Sequence, residues 1–354
     1  MKKSLWQSFR IGMLIVATIV GAGFASGREL VTFFGKFGYA SIPIAVLCAL
    51  LLFFSLALFM SVGKLIRPNG MEDFHRAVFG KFAVAVDFVL LFNYLIILST
   101  MFAGCDSLLE SYNLSKYPII STITAILTFI IIYRGIETLM DVNAVLVPII
   151  LYMALIIGIF SLANPVEYEI NYSDNVGMMI FFVATYVSMN IMLSVGVITN
   201  IKMPLKEQLR GAATGSTIVG FFIALLTAAI MCAGINVFNS SMPVMEIASR
   251  MNMSFLAAII IWSGIFTTIL TAVFTINSWT QSFIKNKALS ISSILIIGII
   301  ISRLGFKTIV DSFYPISGII GLFYILAVFI YYLKARKSQK MLSLSVKKDI
   351  DNNK

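Results

Sequence analysis

Three features of the sequence predict an all-α integral membrane protein of about ten transmembrane helices. Of the 354 residues, 59% are hydrophobic and only 12% charged, and the mean hydropathy is +0.97. A soluble domain keeps roughly a quarter of its residues charged, so half that share places most of this surface in lipid. Apolar runs of about 20 residues, enough to cross about 30 Å of hydrocarbon, recur along the whole chain. Finally, Lys and Arg gather in alternate joints between these runs, the pattern of loops that face the cytoplasm. The reading is one transmembrane domain, residues 1–335, followed by a basic cytoplasmic tail, 336–354.

The expected spans cover 10–36, 40–65, 82–111, 117–134, 142–162, 175–201, 211–236, 254–284, 287–303 and 308–333. The first begins after Lys2, Lys3 and Arg10, which resembles a secretory signal. Its apolar pattern resumes at Leu30 and many spans follow, so an uncleaved first helix is expected. The third span carries Asp87, Asn93 and Tyr94, and the fifth has Tyr152 as its one ionisable group. The seventh contains the pair Gly211 and Gly215, a spacing that brings membrane helices into close contact. Lys285 and Lys287 divide the eighth span from the ninth, and Pro315 supplies a kink in the tenth.

With the N-terminus inside, 20 of the 26 Lys and Arg residues fall on the cytoplasmic side, including every inner joint. Both termini are therefore expected in the cytoplasm, and a bacterial inner membrane is the expected location. The tail after Lys334 reads as disordered, or as a helix resting on anionic lipid. The net charge of +10 lies in these joints rather than in a nucleic-acid-binding patch, so the lipid bilayer and a small solute are the expected partners, not nucleic acid. Cys48, Cys105 and Cys232 read as small buried hydrophobes, without metal-type spacing. His75, the only histidine, lies in an inner joint beside Arg76 and reads as a surface residue. With no histidine at membrane depth, no His-based triad or His metal site forms there, and an enzyme is not expected.

The most informative stretch is Gly21-Ala22-Gly23-Phe24-Ala25-Ser26-Gly27-Arg28-Glu29, inside the first span. Each glycine costs about 1 kcal/mol against alanine in a helix. Close helix packing is the plain alternative, but Gly21, Gly23 and Gly27 do not share one helix face. Arg28 follows Gly23 by about 7.5 Å of helix rise, still at membrane depth, where an Arg costs roughly 2.5 kcal/mol or more unless it meets water or a partner. A broken helix lining a polar cavity satisfies both observations, because its free N–H and C=O groups can hold a carboxylate and a cation. The matching place in the second half, the sixth span, reads Thr185-Tyr186-Val187-Ser188-Met189-Asn190, and a second break is expected there.

Taken together, the Gly21–Gly27 motif, the ten spans and the inside N-terminus resemble the amino acid–polyamine–organocation (APC) superfamily with its LeuT-type fold. Gly21–Glu29 is most similar to the first helix of the YkvI-type bacterial membrane proteins. The resemblance covers about residues 5–335 and implies a five-plus-five inverted repeat with broken helices 1 and 6. It also implies a central site between spans 1, 3, 6 and 8. There, backbone amides near Ala22, Gly23 and Phe24 would hold a solute carboxylate. Asn93 and Tyr94 would be the span-3 contacts, although a buried tyrosine satisfied by a neighbouring helix is the alternative for Tyr94. Tyr186 would be an aromatic lid, with Ser188 and Asn190 on the wall.

Thr267, Thr271, Thr275 and Ser278 fall on one stripe of the eighth span. The resemblance implies Na⁺ coordination by Thr267 and Thr268, with Thr271 as alternative, joined by backbone oxygens of Gly21 and Phe24. Hydroxyls that bond their own helix are the plain alternative. No other cofactor is implied. The fifth span lacks the lysine that some proton-coupled relatives use, which favours Na⁺, and Asp87 is a second-choice proton site. Arg28 and Asp311 would pair as an outer gate. The function implied is secondary active transport of a small zwitterionic solute, an amino acid or derivative, by alternating access. A solute-sensing receptor of the same fold, resembling germinant receptors, is the alternative, and the oligomeric state is open.

Overall fold

Lipid offers the backbone no hydrogen-bonding partner, so each apolar run must satisfy its N–H and C=O groups within itself. The computed structural model describes residues 2–110, 119–166, 175–240, 242–304 and 306–352, and the regular structure among them is entirely helical. In order these helices are α1 (Lys2–Ile19), α2 (Ala22–Ala25), α3 (Arg28–Phe33), α4 (Ser41–Ile66), α5 (Met71–Phe79), α6 (Ala83–Glu110), α7 (Ile119–Arg134) and α8 (Ile136–Ala163). The second half holds α9 (Val176–Ile198), α10 (Leu205–Cys232), α11 (Ile235–Asn239), α12 (Pro243–Arg250), α13 (Ser254–Thr280), α14 (Lys287–Ile301) and α15 (Phe306–Asn352). Seven of the described helical stretches are long and apolar enough to cross a membrane, and three shorter apolar ones, Ser4–Ile19, Ile119–Arg134 and Lys287–Ile301, fill the remaining expected places.

The outside of the bundle carries Phe54, Phe92, Ile300 and Phe323, all exposed, whereas its interior holds Thr267, Thr271, Asn277 and Asn190. Apolar side chains outside and polar ones inside suit a lipid solvent. Helix α13 is the central post, with 78% of its apolar window buried against 28% for the last span. Around it, α1 packs on α8, α10 and α13, α4 on α10, and α9 on α15.

Small residues set these distances, since lipid supplies little hydrophobic drive between helices. A methyl on Gly215 would stand 3.1 Å from the Gly12 carbonyl, and one on Gly211 would strike Ile11 at 2.6 Å. The Gly211/Gly215 pair is thus the α1–α10 contact. Methyls on Gly318 and Gly321 would strike the backbone of Thr185 and of Ser188, at 2.6 Å and 2.7 Å, so α15 lies directly on α9.

Two expectations change and one alternative is decided. Residues 71–79 form a helix rather than a surface loop, and His75 on it is fully buried, because Phe74, Phe79 and Tyr324 close over its ring. The segment after Lys334, read as disordered or as a helix, takes the second form and continues α15 to Asn352, with no glycine or proline after Gly321 to stop it. The sixth span, α9, is one unbroken helix. Its polar residues bond its own turns: Thr185 Oγ1 donates to Phe181 O (2.9 Å), Ser188 Oγ to Thr185 O (3.0 Å), Asn190 Nδ2 to Tyr186 O (2.9 Å) and Ser194 Oγ to Asn190 O (2.8 Å). Back-bonded side chains of this kind need no break to be satisfied.

Candidate functional site

The first span does break. Beyond Ile19 the Gly21 N–H turns back to Ile19 O (2.9 Å) instead of continuing the helical ladder to Ala17. One turn, α2, follows, closed by Ala25 N–H to Gly21 O (2.8 Å) and Gly27 N–H to Phe24 O (3.0 Å). Gly27 then adopts φ +86°, which an L side chain rarely tolerates, and α3 restarts at Arg28. The first-turn N–H groups of α2, on Ala22, Gly23 and Phe24, have no acceptor within that helix.

Each glycine has its own spatial reason. A Cβ on Gly21 would stand 2.7 Å from Thr268 Oγ1, and one on Gly23 would overlap the carboxyl of Glu29. At Gly27 it would meet Ile230, Val244 and Pro243. The last two belong to α12, whose Val244 N–H also donates to Ser26 O (2.9 Å). Helix α12 therefore covers the break from one side, and Phe24, Ser26 and Glu29 are all buried.

Glu29 is the residue that sequence reasoning placed in a cavity without giving it a role. It is 4% exposed, and its Oε2 is buried without a hydrogen-bond partner. Tyr186 and Tyr314 lie within electrostatic reach of it. Tyr186 reaches over from α9, with its ring 5.3 Å from Phe33 and 5.0 Å from Phe34, both edge-on. Its hydroxyl is buried without a hydrogen-bond partner, with the Asn190 side chain beside it. An open carboxyl, an open hydroxyl and a rim of aromatic rings thus meet at unwound backbone. That combination suits an ammonium group on a small solute.

On the opposite side of the break lies α13. Thr267 Oγ1 and Thr268 Oγ1 both donate to Gly264 O (3.0 and 3.1 Å), and Thr267 Oγ1 also lies 3.5 Å from the released Ala17 O. A Cβ on Gly264 would stand 3.2 Å from Val20 O, so carbonyls from both sides converge here. This is a set of neutral oxygens, and a hard cation of low charge requires that donor type. Thr271 is turned away, donating to Thr267 O (3.1 Å), and Phe24 O is taken by Gly27. Gly264 and Ala17 were missed in the sequence, because a backbone carbonyl carries no residue signature.

Other expected contacts serve the frame. Tyr94 Oη donates to Met192 O (2.7 Å) and Leu193 O (2.8 Å) and receives Gly196 N–H (3.3 Å), so it pins α6 to α9. Ser188 Oγ donates to Gly318 O (2.5 Å), which fastens α9 to α15. Asn93 Oδ1 accepts from Ser317 Oγ (2.5 Å), while its Nδ2 is buried without a partner. Arg28 is half-buried and donates to Ser240 O (3.4 Å), next to α12. The Asp311 side chain lies outside the described residues. At the other end of the first span, Arg10 bridges Glu137 (2.7 Å) and Asp141 (2.9 Å) and ties α1 to α8.

No established protein-family profile matches the chain. Among curated proteins it is 25% identical over 356 residues to the uncharacterized membrane protein YkvI of Bacillus subtilis (strain 168), covering 96% of this chain and all of that one. It is 23% identical to the uncharacterized protein YyaD of the same organism, covering 92% of this chain and 98% of the relative. Among solved structures it superposes on a Na⁺-coupled sialic acid symporter in a substrate-bound outward-open state (TM-score 0.65, 14% identity, 91% of this chain and 79% of the symporter). It also superposes on MhsT in complex with L-phenylalanine (TM-score 0.63, 13% identity, 91% and 87%). The all-α LeuT-type fold is therefore the fold of this chain.

Proposed function

We propose that the chain is a secondary active transporter of a small zwitterionic solute, an amino acid or derivative, coupled to Na⁺ and working by alternating access. The single observation that carries this reading is the buried Glu29 carboxyl, unpartnered at Oε2 and pressed against Gly23 in the single turn between the two breaks of the first span. A buried carboxyl without a partner is costly unless a bound group completes it. The solute ammonium sits on Glu29 and the Tyr186 hydroxyl, and its carboxylate takes the free N–H groups of Ala22, Gly23 and Phe24. Aromatic rings of Phe33, Phe34 and Tyr186 pack on its apolar body.

Thr267 and Thr268, with the carbonyls of Ala17 and Val20, would hold the Na⁺, whose binding would add a positive charge at the released carbonyls and hold α13 against the break. Residues 1–335 form ten spans in a five-plus-five arrangement with both termini in the cytoplasm of a bacterial inner membrane. Arg28 and Asp311 close the outer path in this scheme. The two superposed structures, a Na⁺-coupled symporter and a complex with L-phenylalanine, support the reading of the site.

Uptake of a panel of labelled α-amino acids into proteoliposomes, under an imposed Na⁺ gradient or in choline, tests the proposal. Na⁺-dependent accumulation that falls at least about tenfold in Glu29→Gln is the expected result. Binding of the same amino acids without any accumulation would replace the transporter with a receptor. Uptake at equal rates in choline would remove Na⁺.

A further inference from the structure

A second buried polar cluster lies apart from the helix break and has no part in the proposed solute site. His75 on α5 is fully buried; its Nδ1 lies 2.5 Å from Asp87 Oδ1 on α6, and its Nε2 lies 2.7 Å from Tyr324 Oη on α15. Three helices thus meet at one imidazole. Phe59 of α4 and Phe74 and Phe79 of α5 wall the cluster, with ring centroids 5.4–6.0 Å from the rings they face. The other titratable and charged groups are few. On α6 there is Tyr94, and on α4 there is the exposed Lys64. On α5 itself, Asp73 accepts from Asn69 N–H, and Arg76 pairs with Glu72 at its exposed surface. Lys81, in the turn before α6, is exposed, and α13, which also packs on α5, has no titratable side chain.

We propose that His75, Asp87 and Tyr324 form a proton-binding site that latches α5 onto α6 and α15. The hydrogen bonds accommodate both states of the imidazole. An ionised Asp87 only accepts, so Nδ1–H donates to it in either state. Without the extra proton, Tyr324 Oη–H donates to Nε2; with it, Nε2–H donates to Tyr324 Oη. The charge balance differs between the two. With the proton the cluster is an imidazolium–carboxylate pair of no net charge. Without it, one carboxylate is left among aromatic rings with no counter-charge, and a single uncompensated charge in such surroundings favours opening to water. Proton uptake closes the latch and proton loss releases α5.

In the orientation proposed above, α5 lies in the first cytoplasmic joint, and release would loosen the inner ends of α4, α6 and α15 together. This consequence for flux rests on the transporter reading, whereas the latch itself does not.

Hydrogen–deuterium exchange of residues 71–79 in the full-length protein in nanodiscs, corrected for the intrinsic pH dependence of exchange, measures the latch directly. Between about pH 6 and about pH 8 the protection of this helix in the wild-type protein is expected to fall about tenfold or more, while that of α9 stays level. Asp87→Asn keeps the shape but removes the buried charge, and His75→Gln removes the proton acceptor. Both are expected to flatten the profile. Wild-type protection that does not change with pH, or a profile that persists unchanged in both variants, overturns the proposal. Amino-acid uptake measured over the same pH range separates the two readings. A pH-sensitive α5 in a protein that accumulates nothing keeps the latch and removes the transporter.

Discussion

The first and sixth spans both carry small and polar residues at mid-length, yet one unwinds and the other does not. In the first, Ser26 Oγ still back-bonds to Gly23 O (3.2 Å), but the three glycines offer no side chain of their own, and each leaves the place of its Cβ to a neighbour: Thr268, Glu29 or α12. In α9 the polar groups are Thr185, Ser188, Asn190 and Ser194, and each returns its hydrogen to a carbonyl three or four residues back. Polarity alone therefore does not open a membrane helix. Glycine together with a competing neighbour does, and the polar side chains of an intact helix become fasteners to the next one, as Ser188 is to α15.

This contrast can be broken from either side. The largest effect is expected at Gly23, where any side chain meets the Glu29 carboxyl. Gly23→Leu should lower uptake by about a hundredfold or more while the protein still inserts and folds, as judged by its size-exclusion profile. Next comes Glu29→Gln, expected to cost about tenfold to a hundredfold in uptake, with a smaller loss for solutes that lack the amine. Thr268→Ala should mainly weaken Na⁺ dependence, raising the half-saturating Na⁺ concentration about tenfold at unchanged maximal rate in saturating Na⁺. On the unbroken side, Ser188→Ala should leave uptake within about twofold and cost about 1 kcal/mol of thermal stability, because it loses only the hydroxyl that Thr185 O and Gly318 O share. A Ser188→Ala variant as inactive as Gly23→Leu would show that α9 works as a binding wall after all.

Much of the fold was legible because lipid makes apolar run length decisive: seven helices among the described residues are long and apolar enough to cross a membrane, each over an expected stretch, and three shorter apolar helices overlap the others. The Gly21–Gly27 break was legible too, since glycine has no other reason to cluster there off a single face. What could not be read was the direction of side chains. Tyr94 and Ser188 have the types and depth of site residues, but only packing shows that their hydroxyls are committed to α9 and α15 carbonyls. His75 was misjudged for a related reason. A short stretch with Glu72, Asp73 and Arg76 reads as a wet loop, whereas it folds as an amphipathic helix whose inner face carries Phe74 and the imidazole. Oxygens from Ala17, Val20 and Gly264 were invisible because any residue supplies a carbonyl.

The direct measurement of the contrast is backbone hydrogen exchange in lipid nanodiscs at one pH, comparing residues 21–27 with residues 185–191. The first segment, in which the N–H groups of Ala22, Gly23 and Phe24 lack acceptors within α2, should exchange at those three positions at least about a hundredfold faster than the second, and should slow when a transported amino acid is added. Equal, deep protection of both segments, unchanged by any amino acid of the panel, would contradict the account of the first span as an open polar socket.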